Sequence, residues 1–554
     1  MTRLGFALVL ATAVLGACSD LRSPFAPTIA ALVEAIIDEQ LAFVPARGRE
    51  AGLHEYDARL ADYSRAGITR RIARLEAQRA ALAGEHPHLP HEVHDVALLK
   101  WQIDEQLFWL TERRDWEHDP AFYEELFSVN VYLDREYAPA EERLRRLVEH
   151  EEAALLQVPF LRANLKPPIA KPLADVAIQI YEGRAEFLRK DVAARVAGMT
   201  KSDELAARFG RANEALAAEA ASFAAWLKTV PTDESHALGP ALFARLVEVY
   251  AGERISLADF ERMGEADLAR NRALHDRLVK EVPSPARPDD VLAEARKLVD
   301  EARDFLEERA IVTLPNQPKA AVNETPPYLR YNSAWLDVAG PFDLALGGSY
   351  YITPPDPSWP EEQRAAYVPT LSELRSTTVH EVYPGHYVQS GFLRHAPTRA
   401  QKLVGSVTFI EGWAHYAEQM MADEGFGGGT ADAKLGMVKQ ALLRDCRYLV
   451  ALGIHTKGMT LAQAEKRMIE DCHQRPPVAK QQALRGAFHP WYFAYTLGKL
   501  QIQALRAEAQ QAVGRRFQLK LFHDALLSHG QGPVGLLRAR VLSDVRSGGP
   551  YKAP

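Results

Sequence analysis

From Ile29 to about Leu306, apolar residues return every three or four positions, as in Leu99, Ile103, Leu107 and Leu110 and again in Leu144, Leu147 and Val148. Between them Ala, Glu, Arg and Leu dominate, residues that lose little conformational freedom in a helix. So long a stretch with that period predicts a mainly α fold, an array of amphipathic helices with their apolar stripes turned inward. Proline-bearing breaks at 86–90, 167–168 and 282–288 divide the array. No fixed repeat length emerges, so a solenoid is not expected. With 554 residues, 47% of them hydrophobic, the chain has ample material for a large core. A net charge of −7 and the lack of a basic stripe argue against a nucleic-acid partner.

The texture changes between Ile311 and Pro360, where prolines interrupt short β-rich runs, the best being Tyr328–Tyr331 and Ser349–Thr353. A small sheet there could hold an extended peptide along its edge, with the Gly347-Gly348-Ser349 segment letting a substrate backbone approach closely. A plain connecting hairpin is the alternative.

Chemistry concentrates in Thr377–Gln389, which holds His380, Glu381 and His386. Imidazole nitrogens beside a carboxylate are what a hydrolytic zinc site requires. The familiar His-Glu-x-x-His spacing puts both histidines on one helical face, whereas here they lie six residues apart. Six residues of straight helix turn a side chain by about 600°, so the second ring would point about 120° away from the first. Pro384 and Gly385 fall inside the gap and can break the helix so that His386 swings back. The metal reading therefore predicts a distorted, looped-out helix; a helix that merely stops at Pro384 is the other possibility. Downstream, Glu411 in Glu-Gly-Trp-Ala-His-Tyr-Ala-Glu is the expected third ligand, giving two histidines, one glutamate and an open position for water. His415 and Glu418 share its helical face and are rival or supporting candidates.

Together, His-Glu-x-x-Pro-Gly-His and the later Glu-Gly-Trp-Ala-x-Tyr-Ala-Glu resemble a large bacterial family of unassigned function, a distant branch of the Glu-zincin metallopeptidases. More remotely the chain is similar to the helical angiotensin-converting-enzyme and carboxypeptidase Taq groups. Softer matches extend from Gly52–Asp57 through Gly347–Tyr351 to Phe522–Leu527. The resemblance implies a helical, two-lobed zincin-like fold with a Zn2+ site. It also picks out Tyr495, in Tyr-x-x-Gly, as a hydroxyl donor to the oxyanion of the reaction. His489 is chemically suited to the same task, although His-Pro-Trp-Tyr departs from the family pattern there. A histidine also recurs near His455, which is expected just beyond a helix ending near Gly453 and facing the cleft. The mechanism this implies is metal-assisted hydrolysis. Zinc on His380, His386 and Glu411 activates water, Glu381 takes its proton and passes it to the leaving amine, and Tyr495 or His489 steadies the oxyanion. A peptide or peptide-like amide is the expected substrate. A metal-free binding lipoprotein and a zinc hydrolase of other amides or esters are the competitors.

At the start, Arg3 precedes an apolar run from Leu4 to Leu15 that closes on Leu-Gly-Ala-Cys18. That ending resembles a bacterial lipobox, with Cys18 the lipidated first residue of the mature protein. Residues 1–17 then form the signal peptide and 18–27 a tether, followed by a helical region at 28–310 and a catalytic region at 311–554. Ser19 leans toward an exported protein anchored in the outer membrane and facing the periplasm. Of the remaining cysteines, Cys446 and Cys472 are either buried thiols or one disulfide.

Overall fold

The structure, a computed structural model, describes residues 28–326, 333–356 and 358–549. Cys18, the signal and tether segments and the Tyr328–Tyr331 run lie outside the described residues. Within them the fold is mainly α, with short strands only. No described helix is long and apolar enough to cross a membrane.

Local chemistry marks where the helices begin. Ser64, Ser202, Ser256 and Thr430 each turn a side-chain oxygen onto the backbone N–H three residues on, satisfying a donor the helix cannot. Pro90, Pro159, Pro240 and Pro476 occupy first positions, where a missing N–H costs nothing. Each proline break separates two helices: Arg65–Ala83 from Pro90–Leu107, Pro159–Asn164 from Lys171–Phe187, and Leu257–Glu281 from Val291–Glu308. The periodic residues Leu99, Ile103, Leu144, Leu147 and Val148 are fully buried.

Residue 310 does not divide the hydrophobic cores. One core gathers Ile29 through Leu227, but another buries Phe243, Phe260 and Leu268 from the first half against Leu442, Tyr448 and Phe493 from the second. A fully buried side chain of this size contributes on the order of 2 kcal/mol, so the two halves depend on each other. Cys446 and Cys472 form a disulfide, Cα atoms 6.3 Å apart, that joins the helix Ala431–Lys457 to Leu461–Cys472.

Beside the site lies a three-stranded sheet with Gly348–Ile352 in the middle. It runs parallel to Ala321–Glu324, with Val322 opposite Tyr350, and antiparallel to Ala334–Val338, with Leu336 opposite Tyr350. Gly348 does not open a path for substrate. A Cβ there would lie 2.9 Å from the Asp337 carbonyl and 2.9 Å from the Tyr387 ring, so the glycine lets the sheet press against the helix His386–Arg394.

Candidate metal centre

The helix Leu371–Glu381 opens with a reciprocal cap, Thr370 and Glu373 each accepting the other's backbone N–H. It stops at Glu381, and a new helix, His386–Arg394, starts after four intervening residues. The expected looped-out helix is therefore two helices, and the break between them turns His386 back. Gly385 N–H donates to the Val379 carbonyl at 3.0 Å. The chain folds so tightly here that a Cβ on Gly385 would sit 1.8 Å from the His380 carbonyl oxygen, which only glycine avoids. Trp413 holds the turn from the neighbouring helix, its Nε1–H donating to the Pro384 carbonyl at 2.9 Å.

That neighbour, Val407–Asp423, brings Glu411 to both rings. Its Oε2 lies 3.4 Å from His380 Nε2 and 3.6 Å from His386 Nε2, and the ring centroids are 4.8 Å apart with planes at 83°. Donors bound tetrahedrally to zinc at 2.0–2.1 Å stand about 3.3 Å from one another. Glu411 Oε2 is buried and accepts no hydrogen bond of normal geometry among the described residues. An orphaned carboxylate oxygen facing two imidazole nitrogens at that spacing fits a divalent ion. A second group, His275, Asp276 and His473, fits poorly: its imidazoles stack at 18° with centroids 4.4 Å apart, so their in-plane lone pairs run side by side instead of converging.

Behind His380 stands Glu418, two turns beyond Glu411 on the same helix. Its carboxylate meets His380 Nδ1 at 2.8 Å, accepts from Ser376 Oγ at 2.6 Å, and pairs with Arg444 at 3.1 Å. A proton on Nδ1 directed at Glu418 leaves the Nε2 lone pair facing Glu411 and His386. Burial alone would raise the pKa of Glu418, but Arg444 and His380 outweigh it and hold the carboxyl well below the usual range. Glu411 is likewise held well below its ordinary value, against burial, by His380 and His386. Burial and Arg444 work to lower His380, yet Glu411 and Glu418 prevail and raise it to about 9. A divalent cation would compete with that proton for the same lone pair.

The other residues singled out from the sequence are placed as follows. Glu381 is half-buried beside His380, close enough for its charge to bear on the buried Tyr350 hydroxyl, which burial chiefly pushes up. Tyr495 is half-buried, and its hydroxyl is pushed up by burial and then by the charge of Glu411. The proximity follows from two glycines: a Cβ on Gly412 would meet Gly498 Cα at 2.5 Å, so the helices carrying Glu411 and Tyr495 cross almost in contact. His415 is buried 3.7 Å from Glu418, makes no hydrogen bond among the described residues and does not join the converging three; burial and Lys499 lower it to about 3. His489 stacks on Trp491 and is lowered to about 3 by burial and Arg485; its ring contacts are Phe488, Trp491 and Tyr492.

His455 departs from expectation. The helix does not end near Gly453 but runs to Lys457, which carries His455 inward. There it stacks on Phe243, receives the Leu238 N–H at Nδ1 and meets the Gly486 carbonyl at Nε2, 2.9 Å away. Both nitrogens are engaged by backbone, so it joins helices instead of lining a cleft. Sequence reasoning missed Ser376 and Arg444. Ser376 carried a signal, four residues before His380 on one helical face, whereas Arg444 looks like any helix arginine.

Fold and site thus define a mainly helical protein with a His, His, Glu cluster at the junction of two helices. The model of a family described as "Bacterial protein of unknown function (DUF885)" matches residues 45–541, and the chain belongs to that family. No curated protein matches. Among solved structures, a candidate lipoprotein of unknown function from Shewanella oneidensis shares the fold with a TM-score of 0.76 at 23% identity, over 93% of this chain and 99% of its own. A candidate lipoprotein from Colwellia psychrerythraea matches with a TM-score of 0.76 at 16% identity, over 94% and 99%. Similarity to an M32 carboxypeptidase from Deinococcus radiodurans R1 is weak, with a TM-score of 0.34 at 12% identity over 87% and 97%.

Proposed function

We propose that the protein is a zinc-dependent hydrolase that cleaves peptide or peptide-like amide bonds, with His380, His386 and Glu411 as the metal ligands. The observation that carries this reading is the approach of Glu411 Oε2 to both imidazoles at 3.4 and 3.6 Å while, among the described residues, it accepts no hydrogen bond of normal geometry. A divalent ion held there supplies Lewis acidity and a water of lowered pKa. Glu418 fixes the orientation and tautomer of His380. Glu381 is the general base, taking a proton from the attacking water and delivering it to the leaving amine. Tyr495, set beside Glu411 by the Gly412–Gly498 crossing, donates its O–H to the carbonyl oxygen as that oxygen gains negative charge. His489 is the weaker candidate for that step, since its contacts lie with the rings around it.

We further propose that the protein is exported and tethered by lipid at Cys18 to the outer membrane, facing the periplasm. The apolar run ending at Cys18 supports this, and a disulfide suits an oxidising compartment. The test of function compares zinc content and digestion of a peptide library. Glu381→Gln is expected to keep zinc and lose turnover, and His380→Ala to lose both. Zinc-free wild-type protein, or unchanged hydrolysis in both variants, overturns the reading.

A further inference from the structure

Most arginines of this chain that pack against other helices meet a carboxylate, as Arg208 meets Glu152 and Arg538 meets Glu508. Beside the candidate metal centre two do not. Arg444 and Arg447 lie one turn apart on the helix Ala431–Lys457, and Arg485 comes from Pro476–Phe488. Arg444 is neutralised by Glu418. Among the described residues, Arg447 and Arg485 stand within ion-pair distance of no carboxylate, although both are half-buried.

Aromatic faces and an amide hold these two cations instead. The Arg447 guanidinium lies 4.5 Å from the Tyr492 ring centroid and 5.2 Å from that of Tyr495, and its Nε–H donates to Gln482 Oε1 at 2.9 Å. Gln482 in turn accepts the Tyr492 hydroxyl at 2.5 Å. Arg485 covers the Tyr492 ring at 5.3 Å. Ring faces steady a guanidinium without cancelling its charge or consuming its terminal N–H donors. The cations also have a direction: Arg444 touches His380 and covers Tyr495 at 5.7 Å, so they form a row leading away from the ligand cluster past the proposed oxyanion donor. In a chain of net charge −7, uncompensated positive charge held rigidly at this place is a feature to explain.

Resting on the hydrolase reading, we propose that Arg447 and Arg485 recognise a carboxylate on the substrate, so that the site selects peptides with an anionic group displaced from the bond cleaved. A carboxylate accepts two parallel N–H bonds from a guanidinium, and Tyr492 and Gln482 hold Arg447 ready to make them. The group is either the free C-terminal carboxylate or the side chain of an acidic residue, both of which present the same oxygens.

Two matched peptide pairs separate the sources: one sequence with a C-terminal acid or amide, and one C-terminally amidated sequence with an internal Glu or Gln. With zinc-loaded protein, kcat/KM is expected to favour the acidic member of one pair by roughly 10- to 100-fold. Arg447→Gln and Arg485→Gln should each collapse that ratio toward one, and the pair that responds names the source. Equal kcat/KM within both pairs for the wild type overturns the proposal, as does an equal loss for acid and amide in both variants. If no peptide is hydrolysed, the hydrolase reading fails separately. Calorimetric binding of the four peptides to Glu381→Gln then decides the carboxylate inference: an acid preference that Arg447→Gln abolishes supports it, and equal binding refutes it.

Discussion

Replacing Gly385 by Ala tests the turn on which the proposed metal centre depends. The added Cβ would lie 1.8 Å from the His380 carbonyl oxygen, whereas real Cβ contacts stay above 3.0 Å, so the turn must open by about 1.2 Å. His386 is the next residue and starts its own helix, so the displacement passes into its ring. Metal–ligand distances tolerate only about 0.2 Å, and such a shift takes His386 out of the set. Structural zinc sites with four ligands are worth roughly 10–16 kcal/mol, or about 3 kcal/mol per ligand, so affinity should fall by about two orders of magnitude. The assay is competition with a chromophoric chelator, with circular dichroism to verify that the helices persist. A folded Gly385→Ala protein whose zinc affinity lies within about threefold of wild type would refute both the ligand assignment and the account of the turn.

Other perturbations address the surroundings of the ligands. Glu418→Gln strips the negative charge from the acceptor of His380 Nδ1 and leaves Arg444 buried without its carboxylate; zinc affinity should fall about 10- to 100-fold and stability by about 3–5 kcal/mol, read by chelator competition and urea unfolding. Tyr495→Phe should lower kcat about 100-fold or more with zinc content unchanged, and equal turnover would remove Tyr495 from the reaction. His94 is pushed down to about 4, and His150, His455 and His523 to about 3, chiefly by burial. Their unfolded forms titrate near 6.5, so the unfolded chain takes protons first; stability is complete above that pH and drains away as the pH falls toward 4. Near pH 5 these four should contribute a slope on the order of 5 kcal/mol per pH unit, and a urea midpoint that stays flat from pH 6.5 to 5 contradicts it.

The helical array was legible because period and punctuation agree: Leu99 and Leu147 are buried where spacing puts them, and helices change at the prolines. The pairing of Cys446 with Cys472 was not, since a separation in sequence says nothing of where two helices lie. The convergence of His380 and His386 could be framed from Pro384 and Gly385, but not its form, because a broken helix and a looped-out one differ only in the backbone of Val382–Gly385. His455 was misplaced because Gly453 looked like a helix end; Met459 fills the space beside it, and the helix instead stops at Gly458, whose φ of 68° suits glycine. Arg444, Arg447 and Arg485 carry no local signal at all, for their meaning comes from which tyrosine each one covers.

Helices from both sides of residue 310 meet beneath the candidate metal centre. Lys499, fully buried on the helix that carries Tyr495, pairs with Asp267, which belongs to Leu257–Glu281 in the first half. Asn271 on that same early helix donates to Asp445 at 2.6 Å. Burial and the charge of Asp267 push Asp445 well above the carboxylate range. Breaking a buried ion pair costs far more than forming it gains, because each partner left alone is a desolvated charge. Withdrawing the first half would strand Lys499 one residue from Gly498, at the crossing that sets Tyr495 beside Glu411. The proposed ligands all come from the second half, but the floor that keeps their helices in register is shared with the first.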